Sequence, residues 1–309
     1  MHTFSVENGK TALDGKPFLV KGLRCSNGLY SDGVTGELTG QLENYAAHGL
    51  NTVSVFLMGN RFGDVMGYNP DGTLNAVYTA RLARIIERAD ELGMAVLVGC
   101  LYWGDSKAKY ESWTQREAEK AVHETAAWLN AGGYTNVFID VDNEGMGRAQ
   151  KGFDTRGLIL AAKSGYPACP VGSNYIGAPP DEADLCLHFS DKAPGKPYIE
   201  SEGVPENAPG GYWIKYTKVE DPNSAYRSAA NYPNYRNIGV YTDEMKCDQM
   251  NRTLAHLDRG QGYMLASTWL QAAPPFGPNH RLGGYGTATD PGVRWWAEFI
   301  RDRYGAYTL

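Results

Sequence analysis

Short apolar runs with the character of buried β-strands recur eight times along the chain. They combine β-branched and aromatic residues, which favour a buried strand. The runs lie at 18–25, 52–57, 95–102, 136–145, 169–175, 185–189, 197–203 and 263–269. The fourth run begins as a strand and ends at Asn143-Glu144, directly before glycines that start a loop.

The stretches between many of these runs have the spacing of amphipathic helices. From Leu74 onward, apolar side chains recur on one helical face until Gly93 ends the pattern. Thr114 and Glu117 have the spacing of a capping box at the start of another helix. Further helices are predicted to reach about 49 after a polar loop over 26–36, to span about 242–257, and to begin at 290–291.

Strands that alternate with helices predict parallel β/α units and therefore an α/β protein. Eight strands suggest a closed (β/α)8 TIM barrel, formed as one domain over 1–309, with the site on the rim where the strands end. Turn residues over 4–17 indicate a small N-terminal hairpin, within 1–17, that caps the bottom of the barrel. An open doubly wound sheet is the alternative, disfavoured because no glycine-rich nucleotide loop follows the first strand.

Composition supports one large core and excludes several partners. The chain has 309 residues, of which 42% are hydrophobic, and its net charge is −6 with acidic and basic residues interspersed. The absence of a basic run argues against nucleic acid, and no apolar run approaches the roughly 20 residues of a membrane span. The first residues do not resemble a signal peptide, so the compartment depends on whether one was removed.

The five cysteines are loosely spaced, and none forms a Cys-x-x-Cys pair. Most lie in or beside the apolar runs. We therefore expect buried free thiols, and neither a disulfide framework nor a zinc site, and no cofactor is predicted.

Two carboxylates lie at the ends of predicted strands, where burial is unfavourable unless the group faces a site. They are Glu144, after the fourth run, and Glu202, in the seventh. Brought to one rim, they would form a glycosidase site. Glu200 competes with Glu202, since strand alternation puts both on one face, but Glu202 is nearer the rim. Asp140-x-Asp142-x-Glu144 also hints at a calcium loop, which fails because Lys151 stands where glutamate is required.

Three motifs occur in the order found in one known group of barrel enzymes. They are Asn143-Glu144, the Pro197-x-x-x-x-Glu202 pattern, and Trp269 at the end of the eighth strand. This sequence resembles glycoside hydrolase clan A, which includes the family 5 cellulases and mannanases. The resemblance covers the whole chain, although each motif is short.

The resemblance implies retaining hydrolysis by double displacement, with Glu144 as acid/base and Glu202 as nucleophile. It also implies that Asn143 binds the 2-hydroxyl of the reacting sugar and that Trp269 forms the floor beneath it. His188 resembles the strand-six histidine of the clan, although a satisfied core histidine is nearly as good an interpretation. A core role remains the alternative for Trp269 as well.

The sequence departs from the clan pattern at several places. Ser54 stands where the clan often has an arginine on strand two, and Arg24 or Arg61 could substitute for it. Ser190 replaces the usual tyrosine after the strand-six histidine, and the strand-three histidine is replaced near Trp103. Trp103 is either a stacking platform for sugar or a packed aromatic of the rim.

A long segment, 204–237, follows the seventh strand and is rich in aromatic residues. Loops of this length are often functional, so its rings could line subsites for a polymer. A loop held together by its own tyrosines is an equal alternative.

The residues therefore predict a metal-free retaining glycosidase for a β-linked oligo- or polysaccharide. A non-catalytic carbohydrate-binding barrel is the first alternative. A metal-dependent sugar isomerase or lyase ranks last, because only His188 is a clear candidate ligand. The motifs leave open the sugar, its linkage, endo or exo action, and the oligomeric state.

Overall fold

The computed structural model describes residues 1–59, 65–103, 109–203, 243–266, 280–284 and 292–309. The strands are β1 (Phe4–Glu7), β2 (Lys10–Leu13), β3 (Lys16–Pro17), β4 (Lys21–Arg24), β5 (Thr52–Phe56), β6 (Met58–Gly59), β7 (Val65–Met66), β8 (Ala95–Leu101), β9 (Val137–Asp142), β10 (Val171–Ser173), β11 (Leu185–Leu187), β12 (Tyr198–Gly203) and β13 (Gly262–Leu265). The α-helices are α1 (Asp32–Ala47), α2 (Ala76–Glu91), α3 (Gln115–Ala131), α4 (Met146–Lys151), α5 (Thr155–Gly165), α6 (Asp243–Leu257) and α7 (Arg294–Tyr304). A 3-10 turn spans Asn143–Gly145.

Eight of these strands form a closed barrel in the order β4-β5-β8-β9-β10-β11-β12-β13. Every neighbouring pair is parallel, including β13 with β4, which closes the ring. The predicted α/β class and (β/α)8 TIM barrel are therefore confirmed. In this fold the strand C-termini meet at one rim, which is where the candidate carboxylates lie. No helix in the described part of the chain has the length and apolar character that crossing a bilayer requires.

Local capping chemistry sets several helix boundaries. The capping box of Thr114 and Glu117 is formed at the start of α3, as predicted. The polar loop predicted to extend to 36 is shorter, since α1 begins at Asp32. Ser31 accepts a hydrogen bond from the Val34 amide and thereby caps the predicted helix, whose glycines had obscured its start.

Two helices after β9 were not predicted, because glycines interrupt their pattern. Asp142 accepts hydrogen bonds from the Gly147 and Arg148 amides at 2.8 and 2.9 Å, which satisfies the N-terminus of α4. Asp154 caps α5 in the same way through the Arg156 and Gly157 amides. The chain at the expected loop thus turns directly into a helix, and this turn carries Glu144.

The barrel interior divides into an apolar lower layer and a polar upper layer. The lower side chains form one cluster that includes Leu97, Phe138, Ile199 and Met264. The upper layer, toward the strand C-termini, is fully or almost fully buried but polar; its members include Arg24, Ser54, Asp140, Ser173 and Glu200. Buried polar groups are costly unless they bond to one another, so this layer is the candidate site.

The antiparallel β1–β3 sheet closes the apolar end of the barrel. Phe4 stacks on Phe138 with ring centroids 4.5 Å apart and contacts Phe18 edge-on at 5.9 Å. The Phe4 amide donates to the Thr135 carbonyl at 2.9 Å. The hairpin expected at the bottom of the barrel is therefore found there, packed through its aromatic residues.

Candidate active site

Three titratable side chains from separate strand ends meet at the C-terminal rim. Glu144 follows β9, His188 follows β11, and Glu202 lies near the end of β12. One ligand-type atom of each side chain lies within 4.8 Å of the other two. The two carboxylates predicted to meet across a shared site are thus brought together. Their separation is compatible with the roughly 5–5.5 Å between carboxyl groups that retaining glycosidases use.

Glu144 adopts an unusual backbone conformation. It has φ 54° and ψ 16° within the 3-10 turn, and Gly145 follows with φ 62°. Besides Glu144, the described non-glycine residues with positive φ are Asn8 and Asp14, in turns of the hairpin, and His188. Left-handed backbone is unfavourable for residues with a Cβ and tends to occur at functional sites. Both long side chains in this conformation therefore belong to the same cluster.

Burial and a neighbouring carboxylate act in the same direction on Glu144. Burial raises the pKa of Glu144 to about 8, and the negative charge of Glu202 adds to the effect. The two carboxyl groups are close enough to share a hydrogen bond. Both effects keep the proton on Glu144 to a higher pH than on an ordinary glutamic acid, which is the direction that a general acid requires.

Arg24 provides the cation beside Glu202. Its side chain is fully buried, and Nη2 lies 3.2 Å from Glu202 Oε2. Nη2 also donates to Asn143 Oδ1 at 2.8 Å, and the guanidinium lies over the Phe56 ring. An opposite charge at this distance favours the ionised form of Glu202.

Arg24 lies on β4, the first strand of the barrel. Arg24 pairs in register with Ser54, which is fully buried. Of the two arginines considered as substitutes, Arg24 lies in the cluster, whereas Arg61 lies outside the described residues. Asn143 holds the two halves of the site together, since its Nδ2 donates to Glu144 Oε1 at 3.4 Å.

His188 is paired with Glu200 through Nδ1, which lies 2.5 Å from Glu200 Oε1. Burial by itself would lower the pKa of His188, but the charges of Glu200, Glu202 and Glu144 outweigh it and raise the pKa to about 9. Burial likewise opposes ionisation of Glu200, but His188 and Arg252 lower its pKa to about 2. The pair is therefore ionic at neutral pH.

The two glutamates of β12 occupy different environments. The Glu200 side chain is 3% exposed, against 14% for Glu202. Glu200 accepts hydrogen bonds from its surroundings on both oxygens, whereas Glu202 lies beside Glu144 and Arg24. Of the two glutamates of β12, Glu202 is therefore the one that lies beside Glu144.

Trp103 lies within a cluster of aromatic side chains. Its side chain is fully buried and packs against Tyr110, Trp113 and Phe153, with the Phe153 ring edge-on at 5.1 Å. Among the described residues this packing favours the alternative prediction, a packed aromatic of the rim, and the stacking role stays a prediction.

Other sequence candidates lie outside the described residues. These are Trp269, the proposed floor, and the aromatic segment 204–237. Partners that the sequence analysis missed are Arg252 on α6 and Tyr198 on β12, which contact Glu200. The alternation of 198, 200 and 202 on one face of β12 was the available signal for Tyr198, while Arg252 had none.

Glu144, His188 and Glu202 also have donor types that a divalent cation could use. The sequence analysis found only His188 as a clear candidate metal ligand, whereas the structure brings two carboxylates close to it. Its charge environment opposes a metal, because Arg24 lies beside Glu202 and His188 is protonated at neutral pH. The same features suit a reaction in which protons and negative charge move between carboxylates.

Fold and rim cluster together define an eight-stranded α/β barrel with paired carboxylates at the strand C-termini. No protein-family model and no curated protein sequence matches the chain.

Among solved structures, the chain is similar to a glycoside hydrolase family 5 mannosidase from Rhizomucor miehei, at 12% identity and a TM-score of 0.56, covering 97% of each chain. It is also similar to a glycoside hydrolase family 5 protein from Bacteroides vulgatus, at 13% identity and a TM-score of 0.58, covering 98% of this chain and 71% of the other. An endo-1,4-beta-mannanase from Rhizomucor miehei matches at 11% identity and a TM-score of 0.50, covering 85% and 90%. At these identities the likeness establishes the shared fold.

Proposed function

We propose that this protein is a retaining glycoside hydrolase that cleaves a β-linked oligo- or polysaccharide. The observation that carries the proposal is the proximity of the Glu144 and Glu202 carboxyl groups at the barrel rim. Burial and the neighbouring Glu202 raise the pKa of Glu144, which is the direction that a general acid requires. Similarity of fold to several glycoside hydrolases supports the same reaction class.

In the first step, ionised Glu202 attacks the anomeric carbon while Glu144 donates its proton to the departing glycosidic oxygen. A glycosyl ester of Glu202 forms as the bond to the leaving group breaks. In the second step, ionised Glu144 takes a proton from water, whose oxygen attacks the anomeric carbon and releases Glu202. Arg24 holds Glu202 in place, and Asn143 is placed to contact the 2-hydroxyl of the sugar.

The similar structures indicate which substrates to test first. Two of them are named as a mannosidase and a mannanase, so β-mannosides are the first substrates to test. The floor role of Trp269 and the subsite role of 204–237 belong to this proposal as well.

The test is covalent trapping with a panel of 2-deoxy-2-fluoro-β-glycosyl fluorides, beginning with the mannosyl reagent. We expect one equivalent of label, located at Glu202 by fragmentation of the peptide that also contains Glu200. Glu202→Gly should lose the label and form an α-glycosyl azide when azide is added. Sugar binding without any label or turnover would instead indicate a non-catalytic binding barrel, and a label on Glu200 would overturn the nucleophile assignment.

A further inference from the structure

Glu200 is a buried carboxylate with partners on both of its oxygens. Oε1 lies 2.5 Å from His188 Nδ1 and accepts the Glu202 amide at 3.2 Å. Oε2 lies 3.3 Å from the Tyr198 hydroxyl and 3.6 Å from Arg252 Nη2. Because both of its oxygens are engaged in these contacts, the Glu200 carboxylate is poorly placed to attack a substrate. Any effect of Glu200 on the reaction would therefore pass through a neighbouring residue.

His188 is held as firmly as its partner. Its amide donates to the Ile199 carbonyl at 3.0 Å, and its carbonyl accepts the Tyr198 hydroxyl at 2.6 Å. The ring stacks on Phe189 with centroids 4.1 Å apart, and the backbone has φ 39°. Strand β12 therefore fixes both the backbone and the ring of His188.

We propose that Glu200 is a positioning residue that acts through His188, by occupying Nδ1 and directing Nε2 toward the space between Glu144 and Glu202. With Nδ1 engaged, Nε2 is the ring nitrogen left to donate in the site, and the ring is within 4.8 Å of both carboxyl groups. This inference rests on the proposed function, because its purpose is to serve the two steps of that reaction.

The need for such a donor follows from where negative charge lies in each step. In the resting site Glu202 is anionic, whereas in the glycosyl-enzyme Glu202 is a neutral ester and Glu144 is the anion. Arg24 contacts Glu202 at 3.2 Å, which serves the first step. A ring nitrogen of His188 lies within 4.8 Å of an oxygen of each carboxyl group, so a small movement would let its N–H follow the charge from one to the other.

Other charged groups act on the ring from the surrounding strands. Glu144, Glu200 and Glu202 favour its protonation, and Asp140 on β9 lies inside the barrel close enough to interact with it. Among these described groups, Glu200 is in direct contact with the ring, at 2.5 Å from Nδ1, and its charge raises the pKa of His188 the most. Neutralising Glu200 should therefore lower the pKa of His188 more than any other single substitution that leaves Glu144 and Glu202 intact.

The first test does not depend on any substrate. Nitrogen-15 NMR should show His188 titrating near pH 9 in the native protein, assigned by loss of its signal in His188→Gln. In Glu200→Gln we expect titration at least one pH unit lower. The matched control is Asp184→Asn, which removes a carboxylate paired with Lys163 and should leave His188 unchanged. An identical His188 titration in native protein and Glu200→Gln would overturn the proposal.

The second test uses the 2,4-dinitrophenyl glycoside of whichever sugar labels the enzyme. Glu200→Gln should lower kcat on the order of a hundredfold, as expected for a misplaced reacting group. In the double variant with His188→Gln, Glu200→Gln should lower kcat almost no further, because both substitutions disrupt the same Glu200–His188 pair. Full additivity would show that Glu200 does not act through His188.

A conservative variant covers the case in which Glu200→Gln fails to fold. Glu200→Asp keeps the charge but withdraws it by one methylene, so the high pH of the His188 titration should persist while kcat falls. Failure of trapping and turnover on every glycoside would reject the proposed function alone. The NMR titration would still test separately whether Glu200 positions His188.

Discussion

Glu144 combines a raised pKa with a left-handed backbone, and both come from its immediate neighbours. Burial and Glu202 keep the proton on Glu144, while Arg24 and His188 act in the opposite sense. In the proposed reaction, esterification of Glu202 would remove its charge while the two cations remain. The pKa of Glu144 should then fall, which would let the proposed acid of the first step act as the base of the second.

This balance predicts a pH dependence that changes with the leaving group. For a phenyl glycoside, kcat/KM should decrease as pH rises through about 8, since deprotonated Glu144 cannot donate a proton. A 2,4-dinitrophenyl glycoside leaves without protonation and should show a much weaker decrease. Initial rates from pH 5 to 10 would measure both profiles. Equal decreases for the two leaving groups would contradict the acid role.

Arg24 gives a second prediction at this scale. Arg24→Met leaves the Glu202 carboxylate and the Asn143 carbonyl oxygen without their shared donor. We expect a loss of about 3 kcal/mol in the free energy of unfolding, as for a broken buried ion pair, with kcat/KM falling on the order of a hundredfold.

The control for this change is Arg24→Lys, which keeps the charge but not the fork that reaches both partners. It should fall between the native protein and Arg24→Met in both urea unfolding and kcat/KM. If Arg24→Lys and the native protein behaved alike, the bridging contact would have no measurable function.

At the scale of elements, the turn between β9 and α4 is what presents Glu144. The Asp142 carboxylate accepts hydrogen bonds from two backbone amides at the start of α4. Gly145, between Asp142 and those amides in the chain, adopts a left-handed backbone conformation. A Cβ at Gly145 would lie 2.5 Å from Tyr175 Cβ, so the turn also packs tightly against the loop after β10. Glycine is therefore required here by both conformation and space.

Gly145→Ala should reduce stability by about 2–4 kcal/mol, from positive φ together with the steric clash, and should lower kcat by displacing Glu144. Gly152→Ala is the matched control. Gly152 has φ 73° but nothing within 4 Å of the added Cβ, so about 1 kcal/mol and unchanged kcat are expected. Equal effects of the two substitutions on kcat would argue against a positioning role for the turn. Urea unfolding and steady-state kinetics measure both.

At the scale of the whole molecule, the apolar core and the candidate site lie at opposite ends of the barrel axis. The apolar layer and the hairpin lie at one end, and the ionised groups lie at the other. Substitutions at the closed end should therefore alter the free energy of unfolding without altering the reaction.

Phe4→Ala tests this separation. Phe4 is 1% exposed and stacks on Phe138, so its removal should cost about 3–5 kcal/mol of unfolding free energy. Val6→Ala, at a partly buried position of the same hairpin, should cost much less. Both variants should keep native kcat at temperatures well below their unfolding midpoints. A large fall in kcat for Phe4→Ala would show that the two ends are coupled.

The sequence by itself determined the strand and helix periodicity, the barrel, the capping box at Thr114, and the position of Glu144 and Glu202 at strand ends. These features are local, because side-chain alternation and capping depend on residues a few positions apart. Parallel strands then bring their ends to one rim whatever the details of packing.

Only the tertiary structure decided which neighbours each group has. It placed Arg24 opposite Ser54, gave Glu200 to His188, enclosed Trp103 among aromatic rings, and turned the loop after Glu144 into α4. These contacts join residues that are far apart in the chain, and no local pattern encodes them. The physical reason is that burial, charge pairing and steric fit are set where strands meet, so the chemistry of a carboxylate depends on its surroundings more than on its own position in the sequence.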